Sequence, residues 1–260
     1  MESRIKNKIA LVTGATSGIG KCCAIELAKL GANVIITGRR IERLQSLKST
    51  IEQNFGVKVL PLEMDVRNSS DVESKIHSLA DQWKDIDILI NNAGLALNTA
   101  KVFENSIQEI DDMIDTNVKG ILYVIHSVVP QMVKRNQVGT IVNLGSVAGN
   151  AAYAGGAVYC GSKAAVRYIT DGLRIDLVDT PIRVTTVEPG IVETEFSIVR
   201  FDGDTEKAKK IYEGITPPSA EDIAQNIAYI CNLADHIQVP EIILTSTNQA
   251  DALHKFQKNN

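Results

Sequence analysis

The chain has 260 residues, 44% of them hydrophobic, which is enough apolar material for a substantial buried core. Its formal net charge of −4 argues against nucleic acid as a partner, because phosphate backbones are held by clustered positive charge. No apolar run is long enough to cross a bilayer, and Met1-Glu2-Ser3-Arg4-Ile5-Lys6 lacks the apolar stretch of a secretory signal, so a cytoplasmic protein with no membrane partner is expected.

In chain order, Ile9-Ala10-Leu11-Val12 reads as a buried strand and is followed by a helix from about Ile19 to Leu30. Asn33-Val34-Ile35-Ile36-Thr37 is the next strand, with a charged helix to about Asn54 after it. Strands continue over Val57 to Leu62, Ile86 to Ile90, Gly139 to Leu144 and Ile182 to Val187, and Ile242-Ile243-Leu244 closes the series. Short runs that are apolar throughout suit a parallel sheet covered on both faces. Between them, Ser70-Asp71-Val72-Glu73 and Ser106-Ile107-Gln108-Glu109 match the capping-box pattern of helix starts. Val158 to Ile169 reads as helix, and Pro217-Pro218-Ser219 precedes a late helix through Ile223 and Ile227. No linker or repeat divides the chain. The expectation is an α/β fold: a single doubly wound, Rossmann-type domain over residues 1–260, with a seven-stranded, mostly parallel sheet and helices on both faces.

Four cysteines, Cys22, Cys23, Cys160 and Cys231, lack the spacing of a disulfide framework or a zinc site. They read as small helix-packing residues, and no metal site is expected.

The first strand runs into Thr13-Gly14-Ala15-Thr16-Ser17-Gly18-Ile19-Gly20 and then a helix. Glycines there let the turn approach a pyrophosphate, while the helix N-terminus offers unpaired N–H groups and a positive dipole. Gly14, Thr16, Ser17, Gly18, Ile19 and Gly20 are therefore candidate cofactor residues. At the end of the second strand an acid would hold the ribose 2′-hydroxyl of NAD, but this chain has Gly38-Arg39-Arg40. A guanidinium binds a 2′-phosphate, so Arg39 points to NADP(H), while Arg40 and Arg43 read as opening a solvated helix.

Tyr159 and Lys163 are four residues apart in a helical segment and share a face. A nearby ammonium and an oxidised nicotinamide would both favour phenolate, making Tyr159 a usable base near neutral pH. Ser146 follows the strand Gly139 to Leu144 at the carboxyl edge, where doubly wound sheets bind ligands, and its hydroxyl suits a hydrogen bond to the reacting oxygen.

With these residues in place, the sequence resembles the short-chain dehydrogenase/reductase family from Lys8 to about Thr245. Its TGATSGIG loop, Asn91-Asn92-Ala93-Gly94 and Tyr159-Cys160-Gly161-Ser162-Lys163 are similar to the family's cofactor loop, NNAG motif and YxxxK motif. The resemblance implies that Ser146 polarises the substrate oxygen, Tyr159 is the general acid/base, and Lys163 binds the nicotinamide ribose and lowers the tyrosine pKa. It gives Asn117 the placing of a proton-relay water. It also puts Asn92, Ala93, Gly94, Asp65 and Val66 at the cofactor, with Pro189, Gly190, Val192 and Thr194 over the nicotinamide carboxamide. A homotetramer built from helices around residues 107–133 and 156–178 is implied as well.

Thr194-Glu195-Phe196-Ser197, Val199-Arg200-Phe201 and Gly203 resemble a narrower group, the NADP-dependent 3-hydroxy acid dehydrogenases that oxidise serine, L-allo-threonine and related short acids. Tyr153-Ala154-Gly155-Gly156-Ala157-Val158 and Thr216-Pro217 extend that match. The small-molecule substrate is then a hydroxy acid or carbonyl compound, and the product a 3-oxo acid able to lose carbon dioxide unaided. A substrate carboxylate asks for a cation, for which Arg200 is the candidate, ahead of Lys210 and Arg174. Phe196 and Tyr153 are candidate pocket walls, residues 191–218 a substrate lid and residues 246–260 a C-terminal tail. Two alternatives stand beside this reading: a broad carbonyl or 3-oxoacyl reductase of the same family, and a non-catalytic nucleotide-binding regulatory protein.

Overall fold

The computed structural model describes residues 3–256. Met1, Glu2 and the last four positions of the expected C-terminal tail lie outside the described residues.

Seven strands form one sheet: β1 (Ile9–Val12), β2 (Asn33–Gly38), β3 (Val59–Glu63), β4 (Ile86–Asn91), β5 (Gly139–Leu144), β6 (Ile182–Pro189) and β7 (Glu241–Leu244). Their order is β3-β2-β1-β4-β5-β6-β7, and every pairing is parallel, where a mostly parallel sheet was expected. The strand order reverses between β1 and β4, so a crevice opens at their carboxyl ends. The third strand begins two residues later than the sequence suggests. It is an edge strand, which accommodates Pro61, a residue without an N–H to donate.

The helices are α1 (Gly18–Lys29), α2 (Ile41–Phe55), α3 (Ser69–His77), α4 (Asp81–Lys84), α5 (Ile107–Ile114), α6 (Gly120–Arg135), α7 (Ala157–Asp176), α8 (Glu195–Arg200), α9 (Thr205–Lys210) and α10 (Ala220–Cys231). Alternation along each strand sends successive side chains to opposite faces. Ala10 and Val12 join Leu27 of α1, Leu44 of α2 and Ile227 of α10 on one side. Leu11 joins Val72 of α3 and Val124 and Val128 of α6 on the other. Cys23 and Cys231 are buried in the first of these layers, Cys160 is buried in α7, and all four cysteines are free. Burial pushes the Cys23 and Cys231 thiols up, away from the reactive thiolate.

Two local expectations are corrected. The helix α3 does not start with a capping box at Ser70; Asn68 is its cap, accepting from the Asp71 N–H, while Ser70 Oγ donates to Asn68 Oδ1 at 2.8 Å. Asn68 comes first in the chain and its oxygen reaches the third helical N–H, so Ser70 is left inside the turn. The helix expected from about 107 to 133 is interrupted by a π turn over Asp115–Lys119 between α5 and α6. The Ser106–Glu109 box is present, and Ser219 makes a similar one with Asp222 ahead of α10.

Candidate active site

One cleft at the carboxyl ends of the strands gathers the loop after β1, the ends of β2 and β3, the turn after β4, Ser146 after β5 and the segment after β6. Gly14, Thr16, Ser17, Gly18 and Ile19 form one wall. Gly14 has φ of 66° and lies against the next motif: a Cβ there would stand 2.9 Å from the Ala93 Cα. Gly20 does not reach the cleft. It packs beneath the loop, where a Cβ would run into the Asn92 side chain and the Gly14 carbonyl.

The Asn92-Ala93-Gly94 turn works partly as a clamp on that loop. Thr13 Oγ1 accepts from the Asn92 and Ala93 N–H groups at 3.0 and 3.1 Å, and Asn92 Nδ2 donates to the Thr13 carbonyl at 2.9 Å. All three residues also line the cleft. Beneath them Asn91 Nδ2 donates to Asn143 Oδ1 at 2.8 Å, and Asn143 Nδ2 to Thr170 Oγ1 at 3.0 Å, a buried ladder from β4 through β5 to α7 that pattern reading of apolar strands passed over.

At the adenine end of the expected site, Asp65 and Val66 line the cleft with Arg39. Burial alone would raise the Asp65 carboxyl; hydrogen bonds and charge from Arg67, with Arg39 adding, hold it below the usual range instead. Arg67, which the sequence did not single out, donates to Asp65 and, at 2.6 Å, to Asp112. Arg40 and Arg43 stand at the partly solvated start of α2, as expected, but each is also bonded to other segments. Arg40 donates to Thr16 Oγ1 at 2.7 Å and Ser17 Oγ at 3.2 Å, and Arg43 holds both Glu195 carboxylate oxygens at 2.9 and 3.0 Å. The fold brings α8 over the start of α2, which no local sequence pattern reports.

Ser146, Tyr159 and Lys163 face the same cleft. Ser146 Oγ lies 3.4 Å from the Pro189 carbonyl and accepts from the Ala148 N–H at 3.1 Å. Lys163 is buried and donates to the Leu144 carbonyl at 2.7 Å, its Nζ 6.0 Å from the Tyr159 ring centre. Desolvation pushes the lysine down to about 8, opposed by the charge of Glu188. The expected lowering of the Tyr159 pKa is not found in the protein by itself. Enclosure of its hydroxyl pushes the phenol well up, against a hydrogen bond from Ser146 and the charge of Arg200. Burial outweighs both, and Lys163 directs its hydrogen bond to Leu144 rather than to the phenol.

Asn117 lies one layer back, in the π turn. Its Oδ1 accepts from the Leu95 N–H at 2.8 Å, and its Nδ2 donates to the Leu95 carbonyl at 2.8 Å and to Ser162 Oγ at 2.9 Å. Gly94 separates it from the cleft: a Cβ there would come within 3.2 Å of Asn117 Oδ1 and 3.5 Å of Lys163 Nζ. A side chain longer than hydrogen would wedge these two apart.

Pro189, Gly190, Val192, Thr194 and Phe196 close the opposite wall. Beyond them Gln249 from the C-terminal segment accepts the Ile191 N–H at 2.9 Å. Phe196 meets Tyr159 with ring centres 5.8 Å apart. Arg200 and Tyr153 do not line the cleft themselves but flank the tyrosine. The Arg200 guanidinium is 5.4 Å from the Tyr153 ring and 6.0 Å from the Tyr159 ring, and its Nε donates to the Asn98 carbonyl at 3.2 Å. The other two cation candidates lie further from Tyr159 in their bonding or position. Arg174 is spent on Asp171 and on the Val184 and Pro240 carbonyls, and Lys210 ends α9 exposed to solvent, outside the cleft. Among the described residues no group of three or more His, Cys, Asp or Glu is placed to hold a metal ion, and no helix is long and apolar enough to cross a membrane.

Comparison with known proteins adds to this geometry. A family model for short chain dehydrogenases matches residues 8–204. An NADP-dependent 3-hydroxy acid dehydrogenase of Salmonella typhi is 46% identical over 245 residues, covering 94% of this chain and 97% of that protein. A serine 3-dehydrogenase of Agrobacterium fabrum is 41% identical over 242 residues, covering 93% of this chain and 95% of that protein. The solved closed form of a serine dehydrogenase complexed with NADP+ superposes with a TM-score of 0.89 at 42% identity, over 96% of this chain and 100% of that one.

Proposed function

The chain belongs to the short chain dehydrogenase family, and from that premise we propose that it is an NADP(H)-dependent oxidoreductase that interconverts a short 3-hydroxy acid, such as serine or allo-threonine, with its 3-oxo acid. The observation that carries the reading is the meeting of Ser146, Tyr159 and Lys163 in the cleft that the glycine loop also lines, with Arg200 and Phe196 against the tyrosine.

The residues present fit a phosphorylated dinucleotide. No side chain caps the N-terminus of α1, so its first N–H groups are left for a pyrophosphate. Arg39 stands at the rim with Asp65 and Val66, suited to a 2′-phosphate and an adenine. Bound there, NADP+ supplies the hydride acceptor, and NADPH the donor.

Ser146 donates a hydrogen bond to the substrate oxygen and fixes it beside Tyr159. The Tyr159 hydroxyl takes the proton of the alcohol in oxidation and returns it in reduction. Burial pushes the phenol up in the protein by itself, and an oxidised nicotinamide bound beside it would act against this through its positive charge. Lys163 binds the nicotinamide ribose and keeps positive charge near the phenol. Asn117 fixes Leu95, Ser162 and the turn around Lys163. Arg200 takes the substrate carboxylate, held in place by Asn98 and stacked between Tyr153 and Tyr159. Residues 191–218, folded in part as α8 and α9, act as the lid over this pocket.

The test is a panel of serine, L-allo-threonine, 3-hydroxypropionate and an acyl thioester, assayed with NADP and NAD side by side. Short hydroxy acids with NADP are expected to give the highest kcat/KM. Tyr159→Phe should lower kcat by about 100-fold or more while retaining cofactor binding. Arg200→Ala should raise KM for serine about tenfold, the loss of one charge-assisted contact. Preference for the thioester would move the assignment to 3-oxoacyl reduction, and full turnover by Tyr159→Phe would remove the phenol from proton transfer.

A further inference from the structure

The reaction proposed above uses Lys163; near the backbone to which this lysine bonds lies an acid to which no role has been given. Glu188 is fully buried near the carboxyl end of β6, and its Oε1 has no N–H or hydroxyl partner among the described residues. An unmet buried carboxyl oxygen is costly, which makes the position unsuited to an acid with a packing role alone. An amide or an apolar side chain would serve there more cheaply.

The surroundings of Glu188 tie it to the site. Lys163 Nζ donates to the Leu144 carbonyl, and Leu144 is paired in register with Val187, the residue before Glu188. A Cβ on Gly145, the residue after Leu144, would come within 3.1 Å of Glu188 Cγ and 3.5 Å of its Oε1. Glu188 therefore lies against the stretch of backbone that Lys163 grips. On its other side Oε2 accepts from Asn150 Nδ2, Asn150 Oδ1 accepts from Arg167, and Arg167 pairs with Glu241 of β7 at 3.2 Å. Arg167 and Glu241 are partly exposed, so a hydrogen-bonded chain links the buried carboxyl to solvent.

The charges facing Glu188 are Lys163 and Arg167 from α7 and Glu241 from β7, with the neutral Asn150 from the turn after β5. Burial raises its carboxyl to about 7; the Asn150 hydrogen bond opposes this, the charge of Glu241 adds to it, Arg167 opposes it, and a carboxyl–carboxylate hydrogen bond with Glu241 adds to it again. At Lys163 the charge of Glu188 is what counters desolvation.

We propose that Glu188 is a positioning residue for the reaction: a buried counter-charge that keeps Lys163 an ammonium beside Tyr159. The role rests on the reading of Lys163 given above. It gives a reason for an acid at a buried position that offers an N–H donor to one of its oxygens. It also gives Arg167 and Glu241, outside the cleft, an influence on the chemistry inside.

Two measurements on the full chain test this. The first follows the Tm of the cofactor-free protein and of Glu188→Gln from about pH 5 to about pH 9. A carboxyl raised to about 7 holds an extra proton in the folded state between its unfolded value and 7, so stability falls as pH rises through that window and levels off above it. Glu188→Gln lacks this decline, and its Tm should gain on the natural protein across the window. Should Glu188→Gln not fold, Glu241→Gln serves instead: with the neighbouring negative charge removed, the decline should level off at lower pH. A Tm difference independent of pH for the glutamine variant, or no displacement for the second, overturns the proposal.

The second measurement is the alkaline limb of kcat/KM for hydroxy-acid oxidation. Without its counter-charge Lys163 deprotonates sooner, so Glu188→Gln should bring that limb down by about one pH unit, and Glu188→Asp should restore it. An unmoved limb overturns the counter-charge. If no hydroxy acid is turned over, the substrate reading has failed by itself, and the limb is read on the pH dependence of the NADP+ dissociation constant, which the Lys163 ammonium also governs.

Discussion

Arg39 and Arg40 are consecutive at the end of β2, yet the fold gives them different work. Arg39 is exposed at the rim and contributes to the field that holds Asp65 ionised, whereas Arg40 reaches back to the hydroxyls of Thr16 and Ser17 in the glycine loop. With Arg39 proposed to hold the 2′-phosphate, Arg39→Ala should weaken NADP+ binding about tenfold, roughly 1.4 kcal/mol, and leave NAD+ binding nearly unchanged. Arg40→Ala unfastens the loop shared by both cofactors and should weaken both. Fluorescence titration of the two variants with each cofactor separates these roles, and an equal loss for NADP+ and NAD+ in Arg39→Ala would take that residue off the phosphate. The residue type was legible from sequence, because an arginine where an acid would serve NAD is a chemical statement in itself. The partners of Arg40 and Arg43 were not, since Glu195 is more than 150 positions further along the chain.

At the scale of elements, the strand and helix series was readable because the chain repeats one device: an apolar run, a turn, an amphipathic helix. The residual errors sit at ends, where one side chain decides. In α3 both Asn68 and Ser70 are competent caps by type, and geometry selects Asn68. Asn68→Ala should therefore destabilise the protein by about 1 kcal/mol in denaturant unfolding, and Ser70→Ala by much less. The reverse ranking would reinstate the Ser70 box. The π turn between α5 and α6 shows a different limit. It carries Asn117 into bonds with Leu95 and Ser162, contacts made after the turn is placed and invisible to helical periodicity.

For the whole molecule, the outer side of α7 and its continuation expose Tyr168, Ile175 and Val178, at 76%, 72% and 84% exposure, and α5 begins with Ile107 at 73%. Residues at these spacings in a helix share a side, and apolar side chains this large and this exposed favour association. A homotetramer built on these helices is the assembly we propose. Sedimentation should give four chains per particle, and Ile175→Glu should shift the population to smaller species without unfolding the monomer. A monomeric natural protein at micromolar concentration would refute that assembly.

The sequence by itself determined the α/β class, the order of strands and helices, and the residue types at the glycine loop, Ser146, Tyr159 and Lys163, because each of these is written in local spacing. It also marked Phe196, Tyr153 and Arg200, which the structure gathers around Tyr159. Only the tertiary structure decided that burial pushes the Tyr159 phenol up in the protein by itself, that Arg43 and Glu195 join α8 to α2, and that Glu188 lies against the backbone to which Lys163 bonds. The reason is physical. Local spacing fixes which residues share a face, whereas desolvation and charge pairing depend on how far apart groups lie after distant segments close around them.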